Sequence, residues 1–571
     1  VLYSYGHFFQ KQKRPEAGIM LAKMAVNTIQ QVRGHVSDSQ DDSQKLFLKD
    51  REYMYRDLAE WMVEAGRLGE AQRVLAMLKE EEHFSFVRRD VDTGSAPEKR
   101  VDYIPGEQKF VDGMKERSAA VAAAGKRLTE LKELERQRDL SAEELAEMDS
   151  LYDAIDKAQE EFFAFIETMK TDMATEERED DVARMRLDNA TDWQARLARV
   201  GNGTVLIHLL PLEDKLVTLL TMPEALLSKQ SSIKKADLFR KIADFRSLLV
   251  NPNADPRPLG KELYDLLLEP IEADLQAAGA KTLLFWLDGA LRYLPIAALH
   301  DGKGYLAERF GLAVTTDASD REPSTKRSKW SIAGFGATKG GQGFSALPAV
   351  QAELQGLVSR EGGVLKGTAK LDEAFTADAF RKASSRGRNP VLHVATHFKF
   401  SPGIEAESYL LLGDGNKLTL QDLGGPRYKF RDVDLLTLSA CETALGGDKA
   451  TGREVEGLGV LAQRQGARAV MATLWQVADG STAAFMRLFY KLRTTENLTK
   501  AEALRRAQQA FISGNASFSG DPVVAKTVRG FTRSDATKTD ATDFKPFTAP
   551  TAAPFAHPYY WAPFILMGDW L

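Results

Sequence analysis

Cysteine is almost missing from this sequence: Cys441 is the only one among 571 residues. That excludes intramolecular disulfides and a multi-cysteine zinc site, and it fits a reducing, cytoplasmic compartment. Long apolar runs are missing too. No stretch approaches the roughly 18 to 20 uninterrupted apolar residues that cross a bilayer, and the start of the chain has no charged segment leading into an apolar signal core. No membrane partner is expected. The sequence opens at Val1 inside a helical pattern, which reads as a piece of a longer chain. Positive charge is not in excess: 76 Lys and Arg against 81 Asp and Glu leave a formal net charge of −5. Without an aromatic-basic cluster, that balance argues against nucleic acid as a partner. What is present is a globular composition, 43% apolar and 27% charged. At about 150 residues per domain, the length implies roughly three or four structural units.

Residues 1–87 read as helical hairpins. Between Tyr55 and Leu75, apolar residues recur at spacings of three and four on each side of Gly66-Arg67-Leu68-Gly69, a turn that ends one helix and starts the next. Arg14-Pro15-Glu16-Ala17 opens a similar helix, with Leu21, Met24 and Ala25 on one face. The pattern resembles tetratricopeptide repeats, which implies a concave surface for a protein activator; the plainer alternative is a helical cap that only packs on its neighbour. Residues 88–108, with Gly94, Pro97 and Pro105, read as a linker. Residues 109–199 then hold two long helices. Ser141-Ala-Glu-Glu144 forms a capping box, with Leu140 and Leu145 placed to staple it. Leu145, Met148, Tyr152, Ile155, Phe162, Ile166 and Met169 follow three-four heptad spacing, interrupted by Gln159, which predicts an antiparallel coiled-coil hairpin.

From residue 200 to 571 the periodicity changes. Short β-rich runs at 204–210, 216–221, 282–288, 331–336, 391–396, 435–440, 469–474 and 564–567 are largely continuous in apolar residues. Helical stretches such as 349–359 and 456–465 lie between them. That alternation predicts an α/β domain, a mainly parallel sheet sandwiched by helices, in which reactive groups collect at the carboxyl ends of strands. Segments 321–329 and 513–545 have little apolar pattern and read as solvated loops, or as a lid or self-cleavage site.

His397 ends the apolar run Pro390-Val-Leu-His-Val-Ala-Thr-His397, and Cys441 ends Asp434-Leu-Leu-Thr-Leu-Ser-Ala-Cys441. If the two strands are neighbours in one parallel sheet, imidazole and thiol emerge at the same edge. Alone, a free cysteine is more often an inert core thiol than a nucleophile. A thiol of ordinary pKa near 8.5 is mostly protonated at neutral pH; a neighbouring imidazole favours the thiolate and later protonates the leaving amine. His393 stands four residues before His397, but the Glu of the zinc-protease motif is missing and the segment reads as strand. No metal and no cofactor are therefore expected, and His393 is assigned a supporting role behind the dyad. Asp479, shortly after the run 469–475, places a carboxylate near the same edge, and equally suits the cap of a helix beginning around Ser481.

Five blocks carry a resemblance: Leu291-Arg-Tyr-Leu-Pro-Ile-Ala-Ala-Leu299, His393-Val-Ala-Thr-His397, Leu438-Ser-Ala-Cys-Glu-Thr-Ala444, Gly466-Ala-Arg-Ala-Val-Met-Ala-Thr-Leu-Trp-Gln-Val-Ala-Asp479 and His557-Pro-Tyr-Tyr-Trp-Ala562. Together they make the segment from about Gly201 to Leu571 similar to a CHAT domain, the caspase-like peptidase family related to separase and often joined to tetratricopeptide repeats. The resemblance implies that His397 is the catalytic histidine and Cys441 the nucleophile of a regulated cysteine endopeptidase that works through an acyl-enzyme. The order agrees, and His397 precedes Cys441 by 44 residues, near the roughly 50 of caspases. It also implies an oxyanion held by the backbone N–H groups of Phe398 and Cys441. The family commonly has Gly where this chain has Phe398, which puts the local turn and substrate access in question. Separase-like relatives read a basic residue with an acidic pocket, so Asp479 is expected to select Arg or Lys before the cut. Prokaryotic relatives often act in defence systems by cleaving a toxic effector, which suggests a specific protein substrate of that kind. The alternative is a catalytically silent helical-repeat scaffold that binds partner proteins.

Overall fold

Helices come first and strands second, with the change near residue 200. The computed structural model describes residues 2–36, 51–87, 100–172, 192–201, 203–316, 323, 329–358, 363–399, 407–439, 453–475, 477, 479–514 and 545–571. Cys441 lies outside the described residues, as do most of the 321–329 and 513–545 segments. The chain divides into two units, Val1–Leu78 with Thr93–Thr191 and Lys79–Asp92 with Asp192–Leu571.

The first unit is all-α. Helices Leu2–Lys11 and Pro15–Val36 form one hairpin, and Glu52–Glu64 leads into Leu68–Val87 through the expected turn. Gly66 makes that turn with φ +71°, and the N–H groups of Gly66 and Arg67 donate to the carbonyls of Val63 and Met62, closing the helix end. Phe9, Met20, Leu21, Phe110, Val111 and Met114 build the core beneath the first hairpin. The long helix Pro105–Glu135 begins inside the stretch read as linker, with Pro105 where its missing N–H costs nothing. It packs against Ala142–Asp172 as a hairpin. The capping box between them is real: Ser141 N–H donates to Glu144 Oε2 (2.8 Å), and Glu144 N–H to Ser141 Oγ (3.2 Å). The heptad face is rotated from the expected one. Leu145 and Tyr152 are exposed, while Met148, Leu151 and Ile155 are half-buried, as befits a helix facing one partner whose Leu128 and Leu131 are buried. Lys132 instead covers the Tyr152 ring from 5.3 Å.

The second unit is built on an eleven-stranded sheet of order β3-β2-β1-β4-β5-β14-β13-β12-β8-β6-β7. Its strands are Thr204–Pro211 (β1), Leu216–Thr221 (β2), Leu226–Ser231 (β3), Thr282–Trp286 (β4), Gly311–Val314 (β5), Ile332–Gly336 (β6), Gly367–Leu371 (β7), Val391–Ala395 (β8), Leu435–Leu438 (β12), Ala469–Thr473 (β13) and Phe564–Gly568 (β14). A separate small sheet holds Phe398–Lys399 (β9), Tyr409–Leu411 (β10) and Lys417–Thr419 (β11), in the order β11-β10-β9. The large sheet is mainly parallel in two blocks: β1, β4, β5 and β14 run one way, and β13, β12, β8, β6 and β7 the other. The blocks meet where β13 and β14 pair antiparallel. Helices flank the sheet, so the fold class expected of this region, a mainly parallel sheet sandwiched by helices after an all-α region, is the one observed.

One close approach positions the helix Ala349–Leu357 on this sheet. A Cβ at Gly336 of β6 would lie 2.5 Å from Val350 Cγ1 and 2.9 Å from Leu354 Cδ1. Leu347, Val350, Leu354 and Ala395 form the core there. Gly336→Ala overpacks this contact and is expected to destabilise the second unit by about 1–3 kcal/mol. The urea midpoint of the variant reads this directly; a midpoint equal to that of the wild type would contradict it.

Candidate active site

The strands β8 and β12 lead to the predicted dyad. Every residue of both is buried, which is why each reads as a continuous apolar run. They are adjacent and parallel, in the register Val391 opposite Leu435, Leu392 opposite Leu436, His393 opposite Thr437 and Val394 opposite Leu438. The ladder continues through Ser439, whose N–H donates to Val394 O (2.8 Å). Both carboxyl ends therefore open on the same edge of the sheet, where the neighbour condition set on the sequence is met.

His397 follows the end of β8 and is held on two sides. Its carbonyl accepts from Leu411 N–H (2.9 Å) on β10, and the preceding Thr396 hydroxyl donates to Leu411 O. The ring is buried and stacks on Phe344, with centroids 4.5 Å apart and planes 13° from parallel. His397 Nε2 lies 2.8 Å from the carbonyl oxygen of Ser345. A carbonyl only accepts, so Nε2 carries the proton and Nδ1 of the neutral ring carries the lone pair. Phe344 and Ser345 are presented by a tight turn in which Gly341 and Phe344 exchange backbone hydrogen bonds of 3.2 and 2.9 Å. Gln342 and Gly343, with φ of +55° and +90°, supply the left-handed backbone that this turn needs.

Phe398 settles into β9 without left-handed backbone: it is not among the described non-glycine residues of positive φ, and its side chain is buried. It lies opposite Leu410. Because the His397 carbonyl faces β10, strand alternation turns the Phe398 N–H to the other side of β9, the outer edge of the small sheet. His393 points into the interior, fully buried, with Nε2 at 2.9 Å from Glu353 Oε1 and Nδ1 at 3.1 Å from Tyr490 OH. These contacts occupy both ring nitrogens, and among the described residues no group of three or more His, Cys, Asp or Glu is placed to hold a metal ion. Asp479 opens the helix Asp479–Thr495, two residues earlier than the sequence suggests; its side chain lies outside the description.

Three contributors were not foreseen: Phe344, Ser345 and Glu353. The Gly-rich stretch Gly340-Gly-Gln-Gly343 signals a turn, but no residue type marks a backbone carbonyl that will meet an imidazole. No described helix is long and apolar enough to cross a membrane.

The sequence model of the CHAT domain matches residues 257–569. Comparison with curated proteins gave no match. Among solved structures, the chain is similar to two crystal structures of the Saccharomyces cerevisiae separase–securin complex. One shows 10% identity and a TM-score of 0.35, covering 88% of this chain and 46% of the matched chain. The other shows 9% identity and a TM-score of 0.36, covering 99% and 48%. The chain thus spans less than half the length of the separase-complex chains it matches.

Proposed function

The chain belongs to the CHAT domain family, a caspase-like protease family whose model spans more than half of it, and from that premise we propose that it is a regulated cysteine endopeptidase with Cys441 as nucleophile and His397 as base. The observation that carries this reading is the pairing of β8 with β12 together with the tautomer of His397. His393 and Thr437 are opposite each other, and His397 and Cys441 each lie four residues further along their chains. With Nε2–H committed to Ser345 O, Nδ1 is the nitrogen left to receive a proton.

In the proposed cycle Nδ1 takes the Cys441 thiol proton and the thiolate attacks the scissile carbonyl carbon. The S–C bond forms as the carbonyl π electrons move to oxygen, where the N–H groups of Phe398 and Cys441 are assigned to hold the oxyanion. The edge position of the Phe398 N–H supports that role, and it means the Phe side chain does not remove the donor. As the tetrahedral species collapses, Nδ1–H protonates the departing amine and the C–N bond breaks. Water, deprotonated by the same nitrogen, then attacks the thioester, and the thiolate leaves. Asp479, at the start of its helix beyond β13, is assigned the reading of Arg or Lys before the cut. The substrate class is a specific protein, of the effector type activated by cleavage in bacterial defence, and the helical N-terminal unit is assigned the binding of an activator.

The test uses the single cysteine. A peptidyl chloromethyl ketone with Arg before the reactive group is expected to label the wild-type chain at Cys441 and to leave Cys441→Ala unlabelled; peptide cleavage is expected to vanish in the same variant. Cleavage that persists in Cys441→Ala, or a wild-type chain inert to both reagents in the presence of its activator, would favour the silent scaffold instead.

A further inference from the structure

Resting on that assignment of Cys441 and His397, we propose that Glu353 is a positioning residue for the dyad, tying the two strands that lead to it from the helix Ala349–Leu357. Glu353 is only 4% exposed, on a helix face that otherwise packs Val350, Leu354 and Leu357. Its Oε1 accepts from His393 Nε2–H (2.9 Å) on β8 and from Ser439 Oγ–H (2.7 Å) just after β12. His393 stands four residues before His397, and Ser439 two before Cys441. One carboxylate oxygen therefore joins the approaches to both reactive groups.

The network closes on the far side. His393 Nδ1 is 3.1 Å from Tyr490 OH, and that hydroxyl is 2.7 Å from Thr437 Oγ1, opposite His393 in the ladder. Since the carboxylate can only accept, His393 donates from Nε2; its Nδ1 then takes the Tyr490 O–H, whose oxygen takes the Thr437 O–H. Burial pushes the Tyr490 hydroxyl well above its ordinary range, so it stays a donor. Two strands and two helices are thereby linked by one consistent order of protons. A Leu at position 353 would complete the apolar face of this helix at far lower desolvation cost. What the carboxylate adds is a fixed distance between the strand ends, and an attacking group displaced by about 1 Å loses on the order of a hundredfold in rate. The same segment, from Phe344 to Glu353, also stacks on and hydrogen-bonds His397, so one piece of chain sets both members.

Because Cys441 is the only cysteine, thiol chemistry reports it alone. The pH profile of iodoacetamide alkylation, and kcat and KM for a peptide, would be measured in wild type, Glu353→Leu and Ser439→Ala, each checked for a cooperative melt. The expected result is a kcat lowered by about tenfold to a hundredfold at unchanged KM. Alongside it, the thiolate profile should move toward that of an ordinary thiol, a readout that loss of packing alone would not shift. Ser439→Ala deletes only one hydroxyl, so it serves even where Glu353→Leu fails to fold. Wild-type kcat and wild-type alkylation profile retained in folded variants would overturn the role of Glu353 while leaving the dyad intact. A wild-type thiol that already titrates as a free cysteine would overturn the dyad itself, and this proposal with it.

Discussion

His397→Ala is expected to lower kcat/KM for peptide cleavage by about two to four orders of magnitude, the usual worth of a positioned acid–base group. The imidazole is asked to act three times: to take the thiol proton, to protonate the amine and to deprotonate water. In its absence the thiol must ionise unaided and the amine must leave without a proton. The residual rate should rise with pH as hydroxide ionises the thiol, which separates loss of the base from loss of the fold. His397→Ala also removes the ring that stacks on Phe344, so the comparison belongs between variants with matching melting transitions. A rate within threefold of the wild type would remove His397 from the mechanism.

Lys23→Met should destabilise the first unit by about 3–5 kcal/mol, the cost of leaving buried charge without its partner. Lys23 is fully buried and donates to Glu70, to Glu107 Oε2 (2.7 Å) and to Asp102 O (2.9 Å). Arg67 binds the same two carboxylates and also Glu16. Two cations thus serve three carboxylates, and Glu107 itself is fully buried. Removing Lys23 leaves Arg67 as the remaining cation of this cluster. Adding Glu107→Gln should return part of the loss, because the uncompensated charge goes with it. Chemical denaturation of the full chain, followed through Trp61 in this unit, would measure both; a loss below about 1 kcal/mol for Lys23→Met would contradict the argument. Acid should act in the same direction. Burial alone would raise Glu70, but the hydrogen bond from Arg67 and the charges of Lys23 and Arg67 outweigh it and hold its carboxyl below the ordinary range. A carboxyl lowered by folding stabilises the fold above its unfolded pKa of about 4.3 and ceases to as pH falls through its folded value. The wild-type unit should therefore weaken below about pH 4.3, and Lys23→Met should weaken less steeply there.

Which strands were legible depended on their place in the sheet. β8, β12 and β13 are covered on both faces, so every position is apolar or small and each run stands out. β3 and β7 are the two outermost strands, half-exposed along their length, and Leu226-Leu-Ser-Lys-Gln-Ser231 and Gly367-Thr-Ala-Lys-Leu371 carry no such run. β5 has only four residues. The heptad reading of the long hairpin failed for a related reason. A single-faced contact buries Leu151 and leaves Tyr152 outside, and spacing alone does not say which of two neighbouring stripes faces the partner.

By itself the sequence determined the class of the second domain, the strands that lead to the dyad, the residue types able to do thiol chemistry, and the family. These are properties of local periodicity and of side-chain identity, and both are written residue by residue. Only the tertiary structure decided that β8 and β12 are neighbours in register, that β14 enters between β5 and β13 and so reverses half the sheet, and which nitrogen of His397 is protonated. The same holds for Glu353, which in Ala349-Val-Gln-Ala-Glu-Leu-Gln-Gly-Leu357 looks like any solvent-facing carboxylate of an amphipathic helix. Its partners, His393 and Ser439, are 40 and 86 residues away, and that of His397 is a carbonyl, a group every residue possesses. Contacts of that kind have no signature in composition or spacing, because they exist only once distant segments have been packed against one another.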